Sequence, residues 1–322
     1  MKLLSLTLCV IWLAMGQIAI AQSPALTIRN ILSAPEAELN YETTKLALDR
    51  IIAPEIDGDE VRVEVDRFAA AANSIADNGN DIDKLKAVRQ VIYDAGAWNG
   101  NRPFTYDHAD PYGTDLNNKL LTTYLDTRKG NCVSMPILHL IVAERLGLNV
   151  SLSTAPLHVF VRYTNPTNGR SLAIEATSGG SPTREIWYHE RMGVTDQQVE
   201  SGIYLGVLTK RETIAVMAST VTEWLMSQGR YQEAIEVADV LLEYYPKDIH
   251  AVLSRGSAYG ELMRTEFVER FPTPAAVPPS LRPRYQMLAT QNATAFQQAE
   301  AWGWTPAPAD QTGPQIRQGS GG

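Results

Sequence analysis

Apolar side chains recur every three or four positions through the first half of the chain. Ile82, Leu85, Val88, Val91 and Ile92 form one such stripe. That period predicts amphipathic helices at about 60–76 and 81–95. An earlier helix is expected at about 35–52, before the turn Asp57-Gly58-Asp59. From Trp98 to Gly113 the pattern lapses into aromatics punctuated by Gly, Pro and Asn, which reads as an ordered loop. A helix is expected at about 116–127. After the break at Gly130-Asn131, Val133, Ile137, Leu140, Ile141 and Leu146 return to helical spacing. A helix over 132–146 follows, with Asn131 as N-cap, Pro136 early enough to be tolerated, and Gly147 as its end.

The period then switches. Val150–Ala155, His158–Tyr163 and Arg170–Thr177 are rich in β-branched and aromatic residues and read as three strands, the last two joined by an Asn-Pro-Thr-Asn-Gly turn. Beyond about residue 205 helices return, at 213–228, 231–245 and 249–264. A Pro-rich stretch (271–283) precedes a last helix at 284–302. The residues after 305 are Pro, Gly and Gln rich and are expected to be disordered.

The N-terminus stands apart. Lys2 precedes a mainly apolar run from Leu3 to Met15, and Ala19-Ile20-Ala21 precedes Gln22. This reads as a secretory signal peptide over residues 1–21. Gly16 and Gln17 interrupt the run before it reaches the roughly 20 apolar residues of a membrane span. A soluble product, exported to the periplasm or secreted, is therefore expected. No later stretch suggests stable membrane insertion.

The 322 residues are 44% apolar and 20% charged, which is globular composition. Net charge is −8, from 28 basic and 36 acidic residues. Without a basic tract, nucleic acid is an unsuitable partner. Cysteine count sharpens the picture. Cys9 lies in the expected leader, so Cys132 alone remains after cleavage. An unpaired exported thiol is a reactive group, an intermolecular partner or a small buried hydrophobe.

Reactivity requires thiolate, which a helix N-terminus favours. Cys132 follows Gly130-Asn131 at such a place. A base must reach its sulfur. His139 lies seven residues on, roughly 10.5 Å along a helix axis, which is too far. His189 and His250 lie outside this block. His108, with Asp107 and Asp110, lacks the spacing of a zinc motif. No metal and no cofactor is expected. His158 opens a strand. If Tyr163 pairs with Arg170, His158 directly opposes Glu175, and His158, Phe160 and Arg162 share a face with Ala173 and Glu175. A carboxylate there would orient the imidazole and favour its charged form. The alternative is a cross-strand pair on a solvent face.

Two resemblances add to this reading. Asn117-Asn118-Lys119-Leu120-Leu121, Tyr124-Leu125-Asp126-Thr127-Arg128-Lys129-Gly130-Asn131-Cys132-Val133-Ser134-Met135-Pro136, Ala143-Glu144-Arg145-Leu146-Gly147-Leu148, Pro156-Leu157-His158-Val159-Phe160-Val161-Arg162 and Ile174-Glu175-Ala176-Thr177-Ser178-Gly179-Gly180 resemble the SirB-type branch of the transglutaminase-like, papain-related superfamily, over about residues 50–205. Gln228-Gly229-Arg230-Tyr231, Tyr244-Tyr245-Pro246 and Arg255-Gly256-Ser257-Ala258-Tyr259 resemble tetratricopeptide units; a generic helical hairpin is the alternative.

The first resemblance implies an α+β fold: a papain/transglutaminase-like core, with the Cys helix packed on an antiparallel sheet, and an all-α repeat region after it. It implies a transglutaminase-like domain over 22–205, a helical region over 206–304 and a tail over 305–322. It further implies Cys132 as nucleophile, His158 as base and Glu175 as orienting acid. Transglutaminases proper usually carry Asp at the third place, one methylene shorter. The backbone N–H of Cys132 is a candidate oxyanion donor, with Asn118 or the aromatic loop as a second. Two functions follow. One is an exported cysteine enzyme acting on peptide or protein amides, as protease, amidase or acyltransferase. The other is a non-catalytic envelope module that engages a protein partner through its helical repeats.

Overall fold

The computed structural model describes residues 23–306, apart from Tyr112. The expected signal peptide, its Cys9, and the tail beyond residue 306 lie outside the described residues.

Four helices open the fold: α1 (Pro24–Ser33), α2 (Tyr41–Ile52), α3 (Gly58–Ala76) and α4 (Asp81–Tyr93). The first falls where the sequence suggested no helix. Ser23 caps it through its side chain, and Pro24 sits at its start, where the missing N–H costs nothing. Asn40, Asp57 and Asn80 cap the next three with their side chains. The single helix expected at 35–52 is instead a short 3-10 turn, Glu36–Glu38, followed by α2.

The aromatic loop contains a short strand, β1 (Thr105–Tyr106). It pairs in parallel with β2 (Lys129–Gly130), which follows α5 (Leu121–Thr127). This pairing ties the loop to the residues just ahead of Cys132. Next comes α6 (Ser134–Arg145). Every residue from Ser134 to Ala143 is buried, so α6 has no solvent face and runs through the core.

A four-stranded antiparallel sheet follows in sequence order: β3 (Val150–Ala155), β4 (His158–Thr164), β5 (Ser171–Glu175) and β6 (Ser181–Thr183). Val161 and Ile174 lie in one apolar cluster with Ile137, Ile141 and helices α3 and α4. Phe160 and Ala173, on the opposite face, pack with Tyr188 of α7 (Ile186–Met192) and with Ile203 and Tyr204, which follow α8 (Asp196–Ser201). This is the alternation expected from the sequence.

The register differs by two residues from that expectation. Tyr163 pairs with Leu172 and Thr164 with Ser171. The cause is local. Asn165 Oδ1 accepts the N–H groups of Thr167 and Asn168, and Asn165 N donates to Arg170 O at 2.9 Å, so the loop closes on Asn165 and Arg170. A shift of two keeps every side chain on its face.

The chain ends in α9 (Lys210–Ser227), α10 (Tyr231–Tyr244), α11 (Ile249–Met263) and α12 (Arg282–Ala301). They neighbour one another in order, while α1 also packs on α9 and α10, and α2 on α9. Ile28 and Leu32 of α1 share a buried cluster with Val237 and Leu241 of α10. Among the described residues, no helix is long and apolar enough to cross a membrane.

Candidate active site

The helix expected over 132–146 begins two residues later, at Ser134, so Cys132 lies in the turn between β2 and α6. Asn131 builds that turn. It is fully buried, and its Oδ1 accepts the N–H of Val133 at 2.9 Å and of Ser134 at 3.1 Å. Its carbonyl accepts Met135 N at 3.1 Å. Asn131 therefore takes up open N–H groups ahead of α6 with its side chain, although Val133, not Asn131 as expected, stands at the helix's N-cap position. Gly130 is required by contact: a Cβ there would run into the ring of Tyr124.

A loop brace holds Asn131 from the other side. Asn131 Nδ2 donates to Asn118 O at 3.3 Å, and Asn118 Nδ2 donates to Asp110 Oδ2 at 2.8 Å. Asp110 also accepts the N–H and hydroxyl of Thr114 and the N–H of Asp115. Hydrogen bonds from these donors hold its carboxyl below the usual range, against a burial effect in the opposite direction. Asn118 thus directs its amide to Asp110, and reaches the nucleophile segment through its carbonyl. Asp107, beside His108, accepts Ala109 N. Both aspartates serve the loop's own turns.

Cys132 Sγ lies 3.7 Å from the carbonyl oxygen of Leu157. The thiol is partly exposed. His158 follows Leu157 at the start of β4 and is in side-chain contact with Cys132. His158 Nε2 lies 2.8 Å from Glu175 Oε2. With Nε2 committed to the carboxylate, Nδ1 is the ring nitrogen left for the thiol. Burial alone would push the imidazole pKa down; hydrogen bonds to Cys132 and Glu175 and the charge on Glu175 reverse this and raise it to about 9.

Glu175 ends β5 and is 1% exposed. Its Oε1 accepts Thr177 Oγ1 at 2.7 Å and Thr177 N at 3.2 Å, which leaves Oε2 for His158. Tyr188 OH approaches Oε2 at 3.4 Å. Burial works to raise the Glu175 pKa, but the His158 and Thr177 contacts lower it overall. A ring stack backs the pair: Phe160 lies 4.3 Å from Tyr188, centroid to centroid, and His158 6.4 Å from Phe160. The next charged residue on this face, Arg162, is 1% exposed and donates to Glu185, Ser171 and Leu205 O.

The three residues expected at the site therefore lie together, the imidazole in contact with both the thiol and the carboxylate. In such an arrangement a carboxylate can fix an imidazole, and an imidazole can take a thiol proton. His139 is far less suited to that task. It is fully buried, and its ring stacks on Tyr93 at 6.2 Å. His189 Nδ1 lies 2.8 Å from Val194 O, and His250 pairs with Glu223 in the helical region. Thr177 and Tyr188 are the site residues that sequence reasoning missed. Thr177 was legible as a hydroxyl two residues past Glu175; Tyr188 lay in a helix the strand and helix patterns did not reveal.

A family comparison covers the stretch of chain that carries these groups. Residues 59–219 match the transglutaminase-like superfamily. The chain belongs to that superfamily. A UPF0162 protein of Buchnera aphidicola is 26% identical over 244 residues, covering 69% of this chain and 83% of the relative. A UPF0162 protein of Xylella fastidiosa is 25% identical over 185 residues, 56% of this chain and 62% of that one. F-box only protein 21 of Mus musculus is 25% identical over 187 residues, 55% of this chain and 28% of its own length. The chain thus spans less than two thirds of the Xylella relative and about a quarter of the mouse protein. No solved structure matches.

Proposed function

We propose that this transglutaminase-like chain is a cysteine enzyme of acyl transfer on peptide or protein amides, exported from the cytoplasm. The observation that carries this reading is the contact series from Cys132 through His158 to Glu175. His158 takes the thiol proton, and the Cys132 sulfur attacks the amide carbonyl. The C–N bond breaks, the amine leaves with the proton held by His158, and a thioester to Cys132 remains. Water or a second amine then displaces the thiol, giving hydrolysis or transamidation. Glu175 orients the imidazole and balances its charge. We assign the backbone N–H of Cys132 as a donor to the developing oxyanion.

We further assign the chain to the SirB-type branch and read α9–α12 as tetratricopeptide-like repeats that hold the peptide or protein substrate. The left-handed Gly229 (φ 68°) between α9 and α10 supports that reading, because a repeat turn needs a residue free to adopt it.

The test is the alkylation rate of Cys132 by iodoacetamide against pH, in the wild type and in His158→Ala. Rapid labelling near neutral pH that the substitution slows supports the pair and warrants a peptide substrate screen, in which Cys132→Ala should abolish turnover. Slow labelling at every pH in a folded protein overturns the enzyme reading in favour of a binding module built on the repeats.

A further inference from the structure

The hairpin that brings His158 to Cys132 has an unsuitable residue at its tip. Ala155 pairs with His158, so Pro156 and Leu157 form a two-residue loop between β3 and β4. Proline suits the first loop position. The second, Leu157, has φ 56°, in the left-handed region that glycine or asparagine occupies readily and leucine does not. Backbone preference therefore argues against leucine at this point.

Packing does not argue for it either. The Leu157 side chain is 56% exposed. It has no place in the buried apolar clusters. A leucine that is both conformationally strained and half in water gains nothing for the fold that glycine or asparagine would not. Strain of this kind collects where the side chain serves a site. Here the site is adjacent: the Leu157 carbonyl lies 3.7 Å from Cys132 Sγ, and the next residue is the imidazole.

We propose that Leu157 determines specificity, as an apolar wall beside the thiol against which a hydrophobic side chain of the substrate packs next to the amide under attack. This rests on the reading of Cys132 as the reacting nucleophile. A hydrophobic acyl group would bury the exposed face of Leu157 as it forms the thioester. A charged or glycine-only acyl group would leave that face in water. The inferred substrates are therefore peptides or proteins with an apolar residue at the reacting carbonyl.

The experiment compares two alkylating probes, iodoacetamide and N-benzyl iodoacetamide, on the full chain. The rate ratio of benzyl to plain reagent is divided by the same ratio for glutathione, which removes intrinsic reactivity. Leu157→Asn and Leu157→Gly should lower this corrected ratio roughly fivefold or more. The benzyl reagent should lose more rate than plain iodoacetamide in both variants, and the melting temperature should not fall. Leu157→Met, which keeps an apolar side chain of similar volume, should restore the ratio. A ratio untouched by Asn and Gly overturns the inference, whether the thiol is fast or slow. Equal losses of both rates also overturn it, because they would show a disturbed thiol instead of a lost wall. Slow reaction of the wild type with plain iodoacetamide at every pH counts separately, against the nucleophile reading.

Discussion

Glu175 reaches His158 diagonally across the sheet and not from the position directly opposite. The pairs Val161–Ile174 and Arg162–Ala173 extend to place Phe160 opposite Glu175, two residues from His158. Diagonal neighbours on one face are roughly 7–8 Å apart, against about 5 Å for opposed ones. The contact between Nε2 and Oε2 is nevertheless 2.8 Å. The longer side chain of glutamate is what covers the diagonal. Glu175→Asp should therefore fail to substitute, although it keeps the charge. We expect it to slow Cys132 alkylation at pH 7 on the order of tenfold to a hundredfold, at least as much as Glu175→Gln. A rate for Glu175→Asp equal to the wild type would refute the diagonal argument.

The same contact predicts a pH window. His158 has its folded pKa raised to about 9 from an ordinary 6.5. The folded state thus holds that proton more tightly, so the resulting stabilisation is complete below about 6.5 and is lost as pH rises through about 9. Glu175 has its folded pKa lowered from 4.5. Its contribution is present above about 4.5 and is lost as pH falls through the lowered value. The pair is most stabilising between those limits. Both Cys132→Ala and Glu175→Gln should bring the His158 titration down, since each removes a group that raises it. Imidazole proton shifts followed by NMR against pH will show this; an unmoved titration in Cys132→Ala would mean the thiol and imidazole do not interact.

Much of this site was readable in the sequence, for reasons that differ from residue to residue. Cys132 stood out because Gly130 and Asn131 mark a break ahead of a helix, and Asn131 does hold the turn there through Val133 N and Ser134 N. The face shared by His158 and Glu175 was legible because strand alternation has a period of two, which a register error of two leaves intact. The register itself was not legible. It depends on which residue closes the loop, and the side-chain turn at Asn165 competes with Tyr163 for that role. α1 was invisible as an amphipathic stripe, although Ser23-Pro24 carried its start signal. The burial of α6 on every side was passed over, although apart from His139 the run 135–143 is unbroken apolar sequence, the pattern of an enclosed helix, of which the three- and four-residue spacing picks out only part.

One consequence of that burial concerns acid stability. His139 sits in α6 at 0% exposure, and neither ring nitrogen meets a side-chain or backbone partner. Burial pushes its pKa down to about 4. The unfolded chain then binds a proton near pH 6.5 that the folded chain refuses until about pH 4. Stability must fall as pH drops through this interval. At pH 5 the difference of about 1.5 pKa units corresponds to about 2 kcal/mol. Replacing His139 with Leu should remove this loss. Chemical denaturation at pH 8 and pH 5 should show a smaller pH-dependent difference in His139→Leu than in the wild type, by about 2 kcal/mol. An identical difference in the two proteins would place the acid sensitivity elsewhere.

A buried ion pair beneath the site supplies the last prediction. Lys45 and Asp49, one turn apart on α2, are both about 1% exposed at the side chain and meet at 2.6 Å. Lys45 Nζ also donates to Lys119 O at 2.9 Å, and Asp49 Oδ2 accepts Leu121 N at 2.9 Å. The pair thus fastens α2 to the turn that precedes α5, and Asn118 in that turn braces Asn131. Removing one partner leaves a charge with no solvent and no counter-ion. Asp49→Ala should therefore cost about 3–5 kcal/mol of stability. Replacing both residues with apolar ones of similar volume, Lys45→Met with Asp49→Leu, should recover part of it, because neither charge is then stranded; Leu121 N and Lys119 O lose their partners, at a cost of about 1–3 kcal/mol each. Urea denaturation of the three proteins measures this directly. A double variant no more stable than Asp49→Ala would show that the stranded Lys45 charge is not what the single variant loses, and would remove the pair as the link between α2 and the turn.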